Sequence, residues 1–119
     1  MKKILVADDD IDILILVKMT LGMQGFTVDA ISNWKDIDER VSQFGPDLIL
    51  LDVSLGGADG RDICKKLKQE PQTKHIPVIL FSANAEMGES IQECQAQAFI
   101  AKPYELSHFL KTIRSHINN

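Results

Sequence analysis

Apolar and polar positions along this chain fall into blocks whose period switches. Ile4-Leu5-Val6-Ala7 is an unbroken apolar run stopped by Asp8-Asp9-Asp10, the pattern of a short strand buried on both faces. From Ile11 to Gln24 the spacing turns helical, with Ile13, Leu16, Val17 and Leu21 on one face. Asp10 or a neighbouring aspartate is placed to cap that helix, and Gly25 to end it. Phe26 to Ile31 alternates as a strand does. Ser32 or Asn33 caps a second helix over Trp34 to Phe44, whose Ile37, Val41 and Phe44 fall at i, i+4 and i+7. Gly45-Pro46 breaks the chain before a third strand, Asp47 to Leu51, with Asp52 directly after it. Residues 53–59 form a loop in which Gly56-Gly57 reads as a turn. Gly60 opens a third helix with Ile63, Cys64 and Leu67 inward, ending before Pro71. Val78 to Phe81 is a fourth strand, followed by Ser82. Residues 86–97 give a weak fourth helix whose large apolar residues are Met87 and Ile91. Ala98 to Ala101 is a fifth strand. Lys102-Pro103 precedes a last helix with Leu106, Phe109, Leu110, Ile113 and Ile117 on one stripe.

Five strands alternating with five helices predict an α/β doubly wound fold with a parallel sheet and helices on both faces. A flavodoxin-like order 2-1-3-4-5 puts the switch point between the first and third strands. The length, 119 residues, suits one domain able to bury a core without disulfides or structural metal. Residues 1–119 are expected to be that single domain, with no output domain. At 45% hydrophobic, 25% charged and a net charge of -4, the composition is ordinary. It lacks the basic excess of a nucleic-acid-binding domain. No stretch approaches the roughly 20 apolar residues of a membrane span. Cys64 and Cys94 lack metal-ligand spacing and read as reduced, partly buried thiols of a cytosolic protein.

The chemistry gathers at the strand ends. Asp8 and Asp9 follow the first strand, Asp52 the third, Ser82 the fourth and Lys102 the fifth. In the predicted sheet all five converge on one pocket. Carboxylates this close repel, which raises a pKa or attracts a cation, and hard oxygen ligands suit Mg²⁺. Lys102 supplies a point charge and Ser82 a hydroxyl donor to a phosphoryl group. With Asp52 as nucleophile, this is equipment for phosphoryl transfer.

Those residues, in order and at these separations, resemble the response-regulator receiver domain of two-component signalling. The matching pieces are Ile4 to Asp10, Pro46 to Asp52, Gly60, Ile76 to Ala83 and Lys102-Pro103. The resemblance implies that Asp52 accepts phosphate from a histidine kinase or a histidine phosphotransfer protein. It implies that Asp9 ligates Mg²⁺ directly and Asp8 largely through water, with Asp52 and the Ser54 backbone carbonyl completing the protein ligands. Ser82 would move onto the phosphoryl oxygen, and Phe99 would be the aromatic that turns inward with it. Lys102-Pro103 would be cis. A downstream effector would read the face of the fourth helix, fifth strand and fifth helix. The chain would be cytoplasmic, monomeric or weakly dimeric, acting on no substrate but its own aspartate and touching neither nucleic acid nor membrane.

Four positions depart from the family pattern. Gly56 stands where proline is usual, which makes the loop after Asp52 more mobile. Gln95 stands where glycine is common, Phe99 replaces a frequent tyrosine, and Ser82 replaces threonine. Ser54 and Asn84 flank the phosphoryl site and are expected to tune hydrolysis of the acyl phosphate. None of these removes a required group.

Other readings compete. Asp8-Asp9-Asp10 taken alone is a helix N-terminus with capping. A Mg²⁺-dependent aspartyl phosphatase would need a second acid two residues past the nucleophile, where this chain has Ser54. A flavodoxin-type cofactor binder would need a hydroxyl-rich loop after the first strand, where this chain has aspartates. The chain also fits a receiver module from a hybrid histidine kinase or larger regulator. His75, His108 and His116 read as isolated and exposed, and Trp34 as partly exposed. The first helix carries a second apolar stripe, Ile15, Met19 and Met23, with Ile11 and Leu14 adjacent. It reads either as burial against the fifth helix or as a docking surface for a phosphotransfer partner or a second copy.

Overall fold

A computed structural model describes residues 2–84, 86, 88 and 91–117. Unbroken apolar runs make the sheet. Its strands are β1 (Lys3–Ala7), β2 (Thr27–Ile31), β3 (Leu48–Asp52), β6 (Val78–Ser82) and β7 (Ala98–Ala101). All neighbours pair in parallel, in the order β2-β1-β3-β6-β7. This is the expected 2-1-3-4-5 once the two-residue strands β4 (Ser54–Leu55) and β5 (Ala58–Asp59) are set aside. The third and fourth strands each run one residue further than the sequence suggested, so Asp52 and Ser82 close their strands.

Side chains alternate across the sheet, and the two cores follow that parity. Leu5, Ile49, Leu51, Val78 and Leu80 pack against α2 (Ile37–Phe44), α3 (Gly60–Gln69) and α4 (Ile91–Cys94). Ile4, Val6, Leu48, Leu50, Ile79, Phe81 and Ile100 pack against α1 (Ile11–Met23) and α5 (Leu106–His116). Asp8 continues the parity of Ile4 and Val6, Asp52 that of Leu48 and Leu50, and Lys102 that of Ile100. The three groups therefore leave the sheet on one side, above α1 and α5.

Helix ends follow the polar signals. Asp10 caps α1 by accepting from the Asp12 and Ile13 N–H groups, Asn33 caps the 3-10 turn Trp34–Asp36 that leads into α2, and Gly45 closes α2 in the left-handed conformation. The inward face of α1 differs from expectation. Leu14, Val17 and Leu21 are buried, while Leu16 is 58% exposed. Ile11, Ile15, Met19 and Met23 are also exposed, so burial of that stripe against α5 is corrected. Apolar residues occupy most faces of this helix, and docking on the sheet chooses among them. Leu106 of α5 is likewise exposed, although Phe109, Ile113 and Ile117 are buried as expected. Among the described residues the fourth helix is the turn Ile91–Cys94. Met87, part of its expected pattern, lies outside the described residues, and Gln95 leaves the turn at φ 65. Among the described residues no helix is long and apolar enough to cross a membrane.

Candidate functional site

In-register pairing of Ala7 with Leu51 brings Asp8 and Asp52 side by side at the carboxyl edge of β1 and β3. Asp8 is fully buried and Asp52 nearly so. The Lys102 ammonium, arriving from the end of β7, donates to Asp8 Oδ2 at 2.8 Å and to Asp52 Oδ2 at 3.0 Å. It also lies 4.5 Å from the centroid of the Phe81 ring, a cation–π contact strengthened by burial. The Lys102-Pro103 bond is cis, as expected.

Each of the three acids is also tethered to the backbone. The Asp10 N–H donates to Asp8 Oδ1 at 2.9 Å, the Ser54 N–H to Asp52 Oδ1 at 3.1 Å, and the Gly56 N–H to Asp9 Oδ2 at 3.2 Å. The loop carrying these last two donors is a hairpin. Leu55 pairs with Ala58 across Gly56-Gly57, whose φ values of 48° and 98° give the left-handed pair of a two-residue hairpin turn. The expected turn is there; the proline-free loop is folded onto the site.

Oxygens of Asp8, Asp9 and Asp52 lie within 4.8 Å of one another. Such an all-oxygen set on one short-range centre matches what Mg²⁺ requires, since that ion takes few carboxylates and keeps waters. The electrostatics agree. Burial raises the Asp8 carboxyl above its ordinary range. The Lys102 ammonium and the Asp10 N–H pull it back only in part, and the neighbouring Asp52 pushes it further up. For Lys102 burial acts downward, but its hydrogen bonds to Asp8 and Asp52 outweigh that and hold it above its ordinary value. One ammonium thus serves two acids, and the cluster retains negative charge that a divalent cation would offset.

Support comes from α3. A Cβ on Gly60 would fall on the Asp52 carbonyl oxygen, and the Gly60 N–H donates to the Val53 carbonyl at 2.7 Å. Glycine is therefore required for backbone approach, with no unusual φ involved.

The structure brings Asp8, Asp9, Asp52 and Lys102 together. Ser82 sits apart in hydrogen bonding: its Oγ accepts the Asn84 N–H at 3.1 Å, and among the described residues no hydrogen bond joins it to the acids. Its parity on β6 explains this, since it continues Val78 and Leu80 on the opposite face. Phe99 is half-buried against the core of that same face, with its ring over Gly88. Cys64 and Cys94 are free and buried; burial, with Cys94 adding to it, pushes the Cys64 thiol up to about 12, which makes it inert. His75 and His108 are exposed, and His116 is half-buried. Sequence reasoning missed the backbone donors of Asp10, Ser54 and Gly56 and the Phe81 ring beneath Lys102. Only the Gly-Gly pair, a hairpin signal, pointed toward any of them.

Comparison with known proteins decides the family. The model of the response regulator receiver domain matches residues 4–114. This chain belongs to that family. The receiver is 32% identical over 117 residues to the DNA-binding dual master transcriptional regulator RpaA of Synechocystis sp. (strain ATCC 27184 / PCC 6803 / Kazusa), covering 97% of this chain and 48% of that protein. It is 29% identical over 115 residues to the phosphate regulon transcriptional regulatory protein PhoB of Rhizobium meliloti (strain 1021), covering 95% and 51%. The chain thus spans about half the length of these curated relatives. Among solved structures, the BeF3-activated N-terminal receiver domain of RstA from Klebsiella pneumoniae superposes with a TM-score of 0.89 at 26% identity, covering 99% of this chain and 100% of that one. The Asp8–Asp9–Asp52 cluster is the phosphoacceptor site of a receiver, of the kind used for Mg²⁺-dependent aspartate phosphorylation in two-component switches.

Proposed function

We propose that this receiver is the cytoplasmic, phosphorylated switch of a two-component relay, taking a phosphoryl group onto Asp52 from a phosphohistidine on a histidine kinase or a histidine phosphotransfer protein. The observation that carries the reading is one ammonium, Lys102, shared by two buried carboxylates with a third carboxylate in reach. Asp9 and Asp52, with the Ser54 carbonyl, would hold Mg²⁺, and Asp8 would act largely through water. When bound, the ion neutralises the oxygens of the incoming phosphoryl group. An Asp52 carboxylate oxygen attacks phosphorus in line. The P–N bond to the donor imidazole breaks, and its electron pair stays on the imidazole. Negative charge then moves outward from the Asp52 carboxylate to the phosphoryl oxygens, and Lys102 follows it, loosening its hold on the acid. The Ser82 hydroxyl, which among the described residues accepts from Asn84 and donates to none, has its own proton to donate to a phosphoryl oxygen. Movement of the Ser82 side chain onto the phosphoryl group would free space for Phe99 to turn further inward, altering the face of α4, β7 and α5 for a downstream effector. The exposed apolar face of α1 borders Lys102 and Pro103 through Ile13 and Leu16, where the donor's helix would rest.

The test is incubation with acetyl phosphate and Mg²⁺ followed by intact mass. The expected result is one added phosphoryl group, abolished by Asp52→Asn and by chelation of the metal. No added mass, or labelling that survives Asp52→Asn, contradicts the proposal.

A further inference from the structure

We propose that Gly56 is a positioning residue of the metal site, its N–H holding Asp9 in the orientation that takes the cation. The inference rests on the reading that the acidic cluster binds Mg²⁺.

Three acids form the cluster, and they are not equally restrained. Asp8 and Asp52 are buried, and both are gripped by Lys102. Asp9 is exposed. Among the described residues, the hydrogen bond given to its carboxylate is the one from Gly56, 47 residues away, at 3.2 Å. An exposed carboxylate without such a tether samples several rotamers, and that freedom must be lost when it becomes a ligand. A carboxylate also has about four lone-pair sites. One backbone donor on Oδ2 therefore leaves room for a cation.

The hairpin is built to present this donor. Successive N–H groups of a strand point to opposite edges. The edge of Leu55 is paired with Ala58, so the N–H groups of Ser54 and Gly56 share the other edge. Both are spent on the cluster, one on Asp52 and one on Asp9. The turn that returns the chain from this donor to Ala58 has residue 56 at φ 48°, a left-handed conformation open to glycine and, at some cost, asparagine. Steric room is not the reason for glycine, because a Cβ there would meet Asp9 Cβ only at 3.9 Å. A proline at this position would have neither the N–H nor the φ. The residue at 56 thus sets how well ordered the exposed ligand is before the ion arrives.

The decisive variant is a chain in which the peptide bond nitrogen of residue 56 is replaced by an ester oxygen, with glycolic acid in place of glycine. It keeps the side chain and the turn and deletes one proton donor. Mg²⁺ affinity is read by calorimetric titration with MgCl2, alongside the metal-free melting temperature. The expected result is affinity weakened roughly tenfold or more, the range seen when a partner that orients a metal ligand is lost. Gly56→Asn, which retains the N–H and the left-handed backbone, should titrate like the unaltered chain. Unchanged or tighter binding by the ester chain overturns the inference and leaves the metal reading standing. Equal weakening in the ester chain and Gly56→Asn also overturns it, since the shape of the turn would then matter rather than the donor. Absence of any Mg²⁺ titration in the unaltered chain overturns both.

Discussion

Asp8 and Asp59 are both aspartates beside a cation, and the protein pushes them in opposite directions. Asp59 sits at the start of α3, about a third exposed, with the Arg61 guanidinium against it. That guanidinium holds its carboxyl below the ordinary value, and burial offsets this only in part. Asp8 is fully buried and shares one ammonium with a second acid. Burial raises its carboxyl, and Lys102 does not fully compensate. The first pair is a local clamp whose charges are matched and solvated. The second is a site with one positive charge too few, kept that way by the sheet around it. A stable surface pair stays as it is; an undercompensated buried one is prepared for a cation and an incoming phosphoryl group.

The largest expected effect comes from the backbone that supports the buried cluster. Gly60→Ala forces a Cβ onto the Asp52 carbonyl, and strand β3 cannot yield without moving the core. A stability loss of about 3 kcal/mol is expected by denaturant titration. Close behind, Lys102→Met leaves two buried carboxylates facing each other without a counter-charge, which costs about 3 kcal/mol at neutral pH. Added Mg²⁺ should restore part of that loss, and more of it than it adds to the unaltered chain.

Asp8→Asn reverses the sign. It removes the charge the fold tolerates least and leaves Lys102 paired with Asp52, so a gain of about 1 kcal/mol is expected. Because the folded pKa of Asp8 is raised, its contribution is fully present below the ordinary 3.8 and lost as pH rises through the folded value. The gain from Asp8→Asn should therefore be small at low pH and open as pH rises through that window. A gain that is constant with pH would break the contrast. The smallest effect belongs to the surface pair. Arg61→Met is expected to cost less than about 1 kcal/mol, since exposed ion pairs are solvated and screened. The folded pKa of Asp59 is depressed, so its stabilisation is present above the ordinary 3.8 and lost as pH falls through the folded value. The deficit of Arg61→Met should accordingly vanish in acid, opposite in course to that of Asp8→Asn.

Much of this arrangement was legible in the chain. Unbroken runs such as Ile4 to Ala7 and Leu48 to Leu51 have one sensible place, the interior of a parallel sheet, and polar residues at their ends must emerge at its carboxyl edge. Asp8, Asp9, Asp52 and Lys102 were found that way. Ser82 also closes its strand, and its hydroxyl accepts from the Asn84 N–H rather than bonding to the acids among the described residues. The inward face of α1 was misjudged because Ile11 to Met23 is apolar on most sides, and a periodicity argument cannot choose among faces that look alike. The backbone donors were invisible for a deeper reason: every residue but proline has an N–H, and only the hairpin geometry shows which ones are used. Gly56 appeared in the sequence as a departure and in the structure as a tether.

The most direct test of the central claim is where the phosphoryl group goes. After incubation with acetyl phosphate and Mg²⁺, borohydride reduces an aspartyl phosphate to an alcohol, which marks the modified residue as homoserine. Peptide mapping is predicted to find homoserine at position 52, with none at Asp8 or Asp9. Homoserine at another position, or a phosphate that survives borohydride as a stable ester, would contradict the account.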